Sequence, residues 1–536
     1  MSNQSIGSFK TDRFKRCIRY KYKNPVQRGQ VELAPPTMIL ALLCCLLVLL
    51  LYGYQSCAKP RNFPPGPRWY PLVGCLPLFE RLRRESGYVH LSFLALSARH
   101  GPVLGLKLGK QKFVVVHTAE LVKRALLRDE FNGRPNGFFF KTRAFGKDLG
   151  ILFTEGPQWA QHRRFTMRHL RGFGYGTRAM AELLRAEVDE FIGHLVGWSA
   201  RGPVPMHGVF DVPTLNTLWA MFAGHRFDYE DAKLRRILEV VHEVFRLNDT
   251  LGGKLSEMPW LRWLAPGLSG YRDLVAQLRL MWGFLDEEIA EHERSLPACG
   301  QPRDLIDAFL MEIEKRAGPA PTGAHIFDRE NLLILCFDLF LAGSKTTTDS
   351  LATIFCFLGA NLEWLEYCRA ELDVVVGRDR VPAVADMPAL PRNQAFVAEV
   401  QRRVTMSPLG ITHKATKDTM FEGHFIPKDT NIVLNLYSYN MDPVIWKNPK
   451  KFDPGRFLNE KGEFLHSNPA IPYGLGKRRC IGEGMARQSL FLFFVSVIHH
   501  FDLDVSEEHG VPNQNGEDGF VVAPKPFYLK LTPRTR

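Results

Sequence analysis

Apolar residues return at three- and four-residue steps over Ala179 to Leu195, Ala232 to Phe245, Tyr271 to Ser295, Asn331 to Leu362 and Glu363 to Val376. That spacing is the period of a helix with a buried face. Two short runs, Val103-Leu104-Gly105-Leu106-Lys107-Leu108 and Lys112-Phe113-Val114-Val115-Val116, predict a pair of strands. The chain is therefore expected to be mainly α with small β-sheets. Met38 to Tyr54 reads MILALLCCLLVLLLYGY, uncharged and nearly as long as a hydrocarbon core requires, which predicts a single transmembrane anchor. Behind it, Phe63-Pro64-Pro65-Gly66-Pro67 fixes the backbone as a stiff elbow or an ordinary linker. Four segments result: a basic extension at 1–37, the anchor at 38–54, a Pro-rich hinge at 55–70 and one large domain at 71–536. No 20- to 50-residue repeat interrupts that domain. The Gly/Pro-rich piece Pro297 to Gly323 is expected to be a surface loop, and Gly172-Phe173-Gly174-Tyr175-Gly176, which follows a helical pattern rather than a strand, a helix stop. Trp260, Leu261, Trp263 and Leu264 read as core by default, or alternatively as a lip that dips into a membrane.

Composition changes this picture in three places. The chain has 536 residues and a net charge of +13. Lys10, Arg13, Lys15, Arg16, Arg19, Lys21, Lys23 and Arg28, against Asp12 and Glu32, place six of those thirteen charges before Met38. The remainder is too dilute for a nucleic-acid face, which needs one dense basic surface. The anchor's flanks conflict, since the basic segment before it and Lys59, Arg61 and Arg68 after it each favour the cytosolic side. Translation from Met38 would remove the conflict and leave 1–37 a gene-model extension; the alternatives are a polybasic, lipid-binding arm and a cleaved signal peptide, against which the lack of a small-residue cleavage site argues. Ten cysteines without a CxxC pair argue against a disulfide scaffold and a structural zinc site. Cys336, Cys356 and Cys368 sit in helical patterns as small buried hydrophobes.

Only Cys480 has unusual neighbours. In Ile471-Pro472-Tyr473-Gly474-Leu475-Gly476-Lys477-Arg478-Arg479-Cys480-Ile481-Gly482-Glu483 it lies between glycines, where backbone N–H groups and the start of a helix from Gly482 to His499 can stabilise a thiolate. Such a thiolate can be an axial ligand to haem iron. Glu399 and Arg402 share a helix face. Trp159 and Arg163, one turn apart, suit a carboxylate. Leu341-Ala342-Gly343-Ser344-Lys345-Thr346-Thr347-Thr348 puts glycine and hydroxyls inside an apolar helix, where they would be unfavourable without a purpose.

Taken together these segments resemble the cytochromes P450. The cysteine loop matches F-x-x-G-x-R-x-C-x-G at Gly476, Arg478, Cys480 and Gly482, with Tyr473 in place of Phe. The resemblance implies a P450 fold and haem b held by Cys480. It implies further cofactor contacts from Trp159, Arg163, His413, Arg478, Gly476 and Tyr473, with Arg134 as a looser match, and a structural network of Glu399, Arg402 and Arg456. Ala342 and Gly343 would open room over the iron, and Thr346 would assist proton delivery. Lys345 stands where the family has an acid, and its expected consequence is proton delivery through another route, with some loss of coupling; Asp349 at i+4 could hold it charged.

The activity implied is monooxygenation of a lipophilic substrate. Electrons would come from NADPH through NADPH-cytochrome P450 reductase, with cytochrome b5 as an optional second donor, at a surface that includes Lys477 and Arg479. The place implied is the endoplasmic reticulum membrane, with the catalytic domain cytosolic. Stretches such as Asn132 to Phe140 and Arg163 to Leu170 resemble insect microsomal members, most of all the methyl farnesoate epoxidases of juvenile-hormone synthesis. Three readings stay open: epoxidation of such a terpenoid ester, hydroxylation of another hormone or xenobiotic, and a haem protein whose turnover is impaired by Lys345.

Overall fold

The structure, a computed structural model, describes residues 36–297, 300–316 and 326–534. All but the last two residues of the basic segment lie outside that range. The apolar run predicted as an anchor falls within helix α1 (Pro36–Cys57, 22 residues), several of whose side chains also lie outside the described residues. Among the described residues no helix is long and apolar enough to cross a membrane. The chain parts at Ser56, and Cys57–Arg536 forms a compact unit of its own.

That unit is organised by helices whose burial follows their sequence. The helices that matter to the site are α2 (Phe138–Thr142), α3 (Gly156–Gly172), α4 (Arg178–Ser199), α5 (Asp211–Phe222), α6 (Ala232–Leu247), α7 (Leu261–Leu264) and α8 (Tyr271–Ser295). They continue with α9 (Leu305–Arg316), α10 (Arg329–Ala360), α11 (Glu363–Val375), α12 (Pro391–Val404) and α13 (Glu483–His500). Helix α10 starts where the Asp328 side chain accepts the Asn331 N–H at 2.7 Å, a side-chain cap for an otherwise orphaned donor. Every residue from Asn331 to Leu341 is buried, as befits a helix that is apolar all round. It packs on α5, α8, α12 and α13, and α13 is itself buried continuously from Ser489 to His499.

Three small sheets complete the fold. Strands β1 (Val103–Leu108) and β2 (Gln111–Val116) pair antiparallel, with Val103 opposite Val116. The other strands are β3 (Val204–Pro205), β4 (His413–Lys414), β5 (Thr419–Phe421), β6 (His424–Ile426), β7 (Asn431–Leu434), β8 (Phe501–Val505) and β9 (Tyr528–Pro533). The four-stranded order is β1-β2-β7-β4, a second sheet runs β3-β9-β8, and β5 pairs with β6. Pairing of β7 with β4 sets His413 opposite Ile432 and so fixes the histidine's position.

Two expectations are corrected. The segment read as a surface loop from Pro297 contains α9, which buries Leu305, Ile306 and Phe309; Asp304 caps it by accepting the Asp307 N–H at 2.9 Å. Its proline-rich flanks obscured one amphipathic period of twelve residues. The default of core packing for the tryptophan stretch fails, since Trp260, Trp263 and Leu264 are 49%, 70% and 76% exposed. Flanking prolines hold that short stretch as a separate turn outside the core.

Candidate active site

The cysteine loop is closed by backbone geometry. The Cys480 N–H donates to the Tyr473 carbonyl at 3.0 Å, and the Arg479 N–H to that of Gly476 at 3.2 Å. Gly476 has φ +70°, and a Cβ there would stand 2.5 Å from the Leu126 carbonyl oxygen. Only glycine suits both demands. Burial pushes the Cys480 thiol up, while the Gly482 N–H and the guanidinium groups of Arg163 and Arg479 pull it down. The sulfur is crowded by its own loop, yet the residue is exposed and lines an internal cavity. It is the cavity, then, that the sulfur faces.

That cavity measures about 390 Å³. The side lined by α10 contributes Ala342, Gly343 and Thr346, where Thr346 donates its hydroxyl to the Ala342 carbonyl at 2.7 Å. A Cβ at Gly343 would meet the Leu218 side chain at 2.3 Å, so the glycine lets α5 and α10 approach. Tyr473 lines the cavity too, and its hydroxyl accepts from Gln401 Nε2 at 2.9 Å. Burial pushes that phenol up to about 12, and it stays protonated.

One rim of the cavity is cationic. Arg134, Arg163, Arg478, His413 and Trp159 all line it. The Arg478 guanidinium stacks 3.8 Å from the Trp159 ring centroid and donates to the carbonyls of Asn132 and Thr154 at 2.7 and 2.8 Å. Arg134 is buried, and it donates from Nη1 to the carbonyls of Ile411 and Thr412 at 3.0 and 3.1 Å. Its Nε has no partner. Burial, then the charges of Arg478 and Arg163, press its pKa well below the usual value; burial brings Arg478 to about 9. A guanidinium does not give up its proton at such values, so the strain persists as uncompensated charge. The Glu155 carboxylate, which bears on Arg478, already pairs with Lys414 at 3.1 Å and accepts the Arg134 backbone N–H at 2.9 Å. His413 Nδ1 bonds the Phe131 carbonyl at 2.7 Å, and burial followed by Arg134 holds the ring neutral.

Away from the cavity, Glu399 and Arg402 form a fork–fork pair on α12, at 2.7 and 2.8 Å. Both side chains are 0% exposed. Arg456 joins at 3.2 Å, and the Asp453 N–H at 2.8 Å. Arg402 also donates to the carbonyls of Asn440 and Pro449. Lys345 lies elsewhere again. Its ammonium pairs with Asp349 on α10, both buried, and neither residue lines the cavity.

A family model described as cytochrome P450 matches residues 64–531. The chain belongs to the cytochrome P450 family. This P450 is 34% identical over 496 residues to a protein named farnesoate epoxidase from Bombyx mori, covering 92% of this chain and 99% of that relative. It is 33% identical over 506 residues to a probable cytochrome P450 303a1 of Drosophila melanogaster, with the same two coverages. It is also 33% identical over 509 residues to cytochrome P450 2C16 of Oryctolagus cuniculus, covering 93% of this chain and 99% of the rabbit protein. The family is one of monooxygenases and implies haem iron. The chain's residues fit that group: the cationic rim lacks an acid to balance it, Arg134 Nε is an orphaned donor, and an exposed thiol faces the same cavity. A flat dianion with a thiolate-seeking metal meets all three conditions.

Two contributors were not read from the sequence. Tyr175, in the glycine-rich turn that ends α3, donates its hydroxyl to the Ile481 carbonyl at 2.7 Å and accepts the Gly484 N–H at 3.2 Å. It thereby ties that turn to the start of α13, and the aromatic between two glycines was the available signal. Arg143 and Asp338 form a buried pair in the cavity wall. They lie 195 positions apart, and no local pattern joins them.

Proposed function

We propose that this P450 is a haem-thiolate monooxygenase of lipophilic substrates, with a terpenoid ester such as methyl farnesoate favoured for epoxidation. The observation that carries the reading is one apolar cavity bounded by Cys480 on one side and by Ala342, Gly343 and Thr346 on α10. Haem, when bound, supplies the activation of dioxygen and the electron density that favours O–O cleavage.

The rest is the work of the chain. Cys480 would hold the iron, its charge supported by the Gly482 N–H and the N-terminal end of α13. Arg134, Arg163, Arg478, His413 and the Trp159 indole would hold the carboxylates, drawing on donors and charge already in place. Tyr473 and Gly476 shape the loop. Glu399, Arg402 and Arg456 fix the segment from Asn440 to Arg456 against α12, and Gln401 on that helix touches Tyr473. The Thr346 hydroxyl can turn from the Ala342 carbonyl toward the cavity and pass a proton. Phe139, Ile151, Leu218 and Val244 keep water out and accept an apolar chain.

Lys477 and Arg479 offer basic charge for an acidic flavoprotein reductase fed by NADPH. The uncharged run from Met38 to Tyr54 favours anchoring in the endoplasmic reticulum membrane with the catalytic unit on the cytosolic side. Hydroxylation of another hormone or xenobiotic is the second reading, favoured by the near-equal identity to relatives bearing different names. The deciding experiment reconstitutes the full-length holoenzyme with reductase and NADPH, supplies methyl farnesoate, and compares epoxide formed with NADPH consumed. Epoxide with good coupling supports the terpenoid reading. A thiolate-type carbon monoxide spectrum without epoxide leaves the haem reading in place and removes that substrate.

A further inference from the structure

Arg143 follows directly on α2, lines the cavity and is 4% exposed. Its guanidinium pairs with Asp338 of α10. The guanidinium carbon lies 4.9 Å from the Phe153 ring centroid and 5.2 Å from that of Phe337. Asp338 Oδ2 accepts the N–H groups of Ile151 and Leu152 at 2.7 and 2.8 Å, so that oxygen is used by the wall, while Oδ1 faces Arg143 Nη2 in the ion pair. Trp282 Nε1 donates to the Arg143 carbonyl at 3.2 Å and fixes the backbone from behind. Arg143 Nη1, Arg143 Nη2 and Asp338 Oδ1 are all buried without a hydrogen-bond partner; Nη2 and Oδ1 face each other in the ion pair, which leaves Nη1 as the donor with no counterpart. Arg143, Asp338, Phe139, Ile151, Leu152 and Phe153 all line the cavity.

An unpaired, buried N–H in an otherwise apolar wall costs free energy until an acceptor meets it. Nothing in the thiolate or the cationic rim uses this donor. We infer that Arg143 is a substrate-anchoring residue, whose free Nη1 N–H receives the neutral carbonyl oxygen of an otherwise apolar substrate. The acceptor is uncharged because Asp338 already neutralises the guanidinium. A substrate carboxylate would add a second negative charge beside Asp338 in a dry site and leave it uncompensated. Esters, ketones and amides of lipophilic chains are thus selected over both the free acid and the hydrocarbon. This inference rests on the monooxygenase reading and adds to it a class of substrate.

The test is calorimetric titration of the full-length holoenzyme with three ligands of one chain length: methyl farnesoate, farnesoic acid and farnesene. The ester is expected to bind at least about tenfold more tightly than either of the others, the value of one hydrogen bond to a charged donor. In R143M combined with D338N, which removes both buried charges and the donor at 143 together, ester affinity should fall to that of farnesene, while farnesene itself shifts less than about twofold. A preference for the acid, equal binding of ester and hydrocarbon by the unaltered enzyme, or an ester preference that survives in the double variant would each overturn the inference. The first two outcomes need no variant, so failure of the variant to fold leaves the inference testable. A missing thiolate-type carbon monoxide spectrum would instead remove the monooxygenase reading, and the binding comparison would still stand.

Discussion

Two groups of arginines, each with one buried and the rest half-buried, stand in opposite surroundings in this P450. Around Glu399, the guanidinium groups of Arg402 and Arg456 share a carboxylate, and their remaining N–H groups reach backbone carbonyls. That group is complete within the chain. Around the cavity, Arg134, Arg163 and Arg478 approach one another, the first with an orphaned donor, and Glu155, the carboxylate that bears on Arg478, is shared with Lys414. That group is incomplete. The same side chain thus has its charge closed within the protein in one place and left open toward the cavity in the other.

The comparison can be broken most forcefully at Glu399. Glu399→Gln leaves two buried guanidinium groups without their anion, and a loss of about 3–5 kcal/mol is expected. Thermal unfolding should show this with or without haem; a variant that melts like the parent would refute the scaffold role. The next largest effect is removal of haem. The apoprotein should melt lower, and a small dicarboxylate should raise its melting temperature more than chloride at equal ionic strength, because only the former can bridge the open rim.

Arg478→Leu sharpens the contrast by a difference of sign. Haem should dissociate faster by about ten- to a hundredfold, the value of charge-assisted hydrogen bonds. Apoprotein stability should meanwhile hold or rise, since one unbalanced cation is gone. A fall in apoprotein stability comparable to that of Glu399→Gln would erase the distinction. Tyr473→Phe should cost about 1 kcal/mol by leaving Gln401 Nε2 without its acceptor, while the haem spectrum is kept. The smallest effect is expected at the third charge pair. Lys345→Met with Asp349→Asn should change the ratio of product to NADPH less than about twofold, because a buried ion pair replaced as a unit is near neutral and this one does not face the cavity.

Much of this was legible in the chain. The helical period located α6, α8 and α11 to within two residues at each end, since each buries one stripe and leaves the other wet. Local spacing also put Glu399 beside Arg402, because i,i+3 on a helix is a contact by construction. What local spacing could not show is how residues far apart in the chain meet. The lack of an acid opposite Arg134, the use of Tyr175 as a tie to α13, and the Arg143–Asp338 pair all depend on chain crossings. Helix α9 was hidden because prolines and glycines flank a single amphipathic period. Lys345 was read as standing where the family has an acid, and only the folded chain shows that it pairs with Asp349 and does not line the cavity; adjacency on a helix means separation in direction.

That last point makes α10 a rotary index. Successive residues turn by about 100°, so the hydroxyl of Thr346 and the ammonium of Lys345 belong to different compartments only while the helix keeps its phase. The phase is set at the Asp328 cap, five turns upstream. Inserting one residue between them would bring Lys345 round to the cavity position that Thr346 now holds, without altering a single side chain in either place.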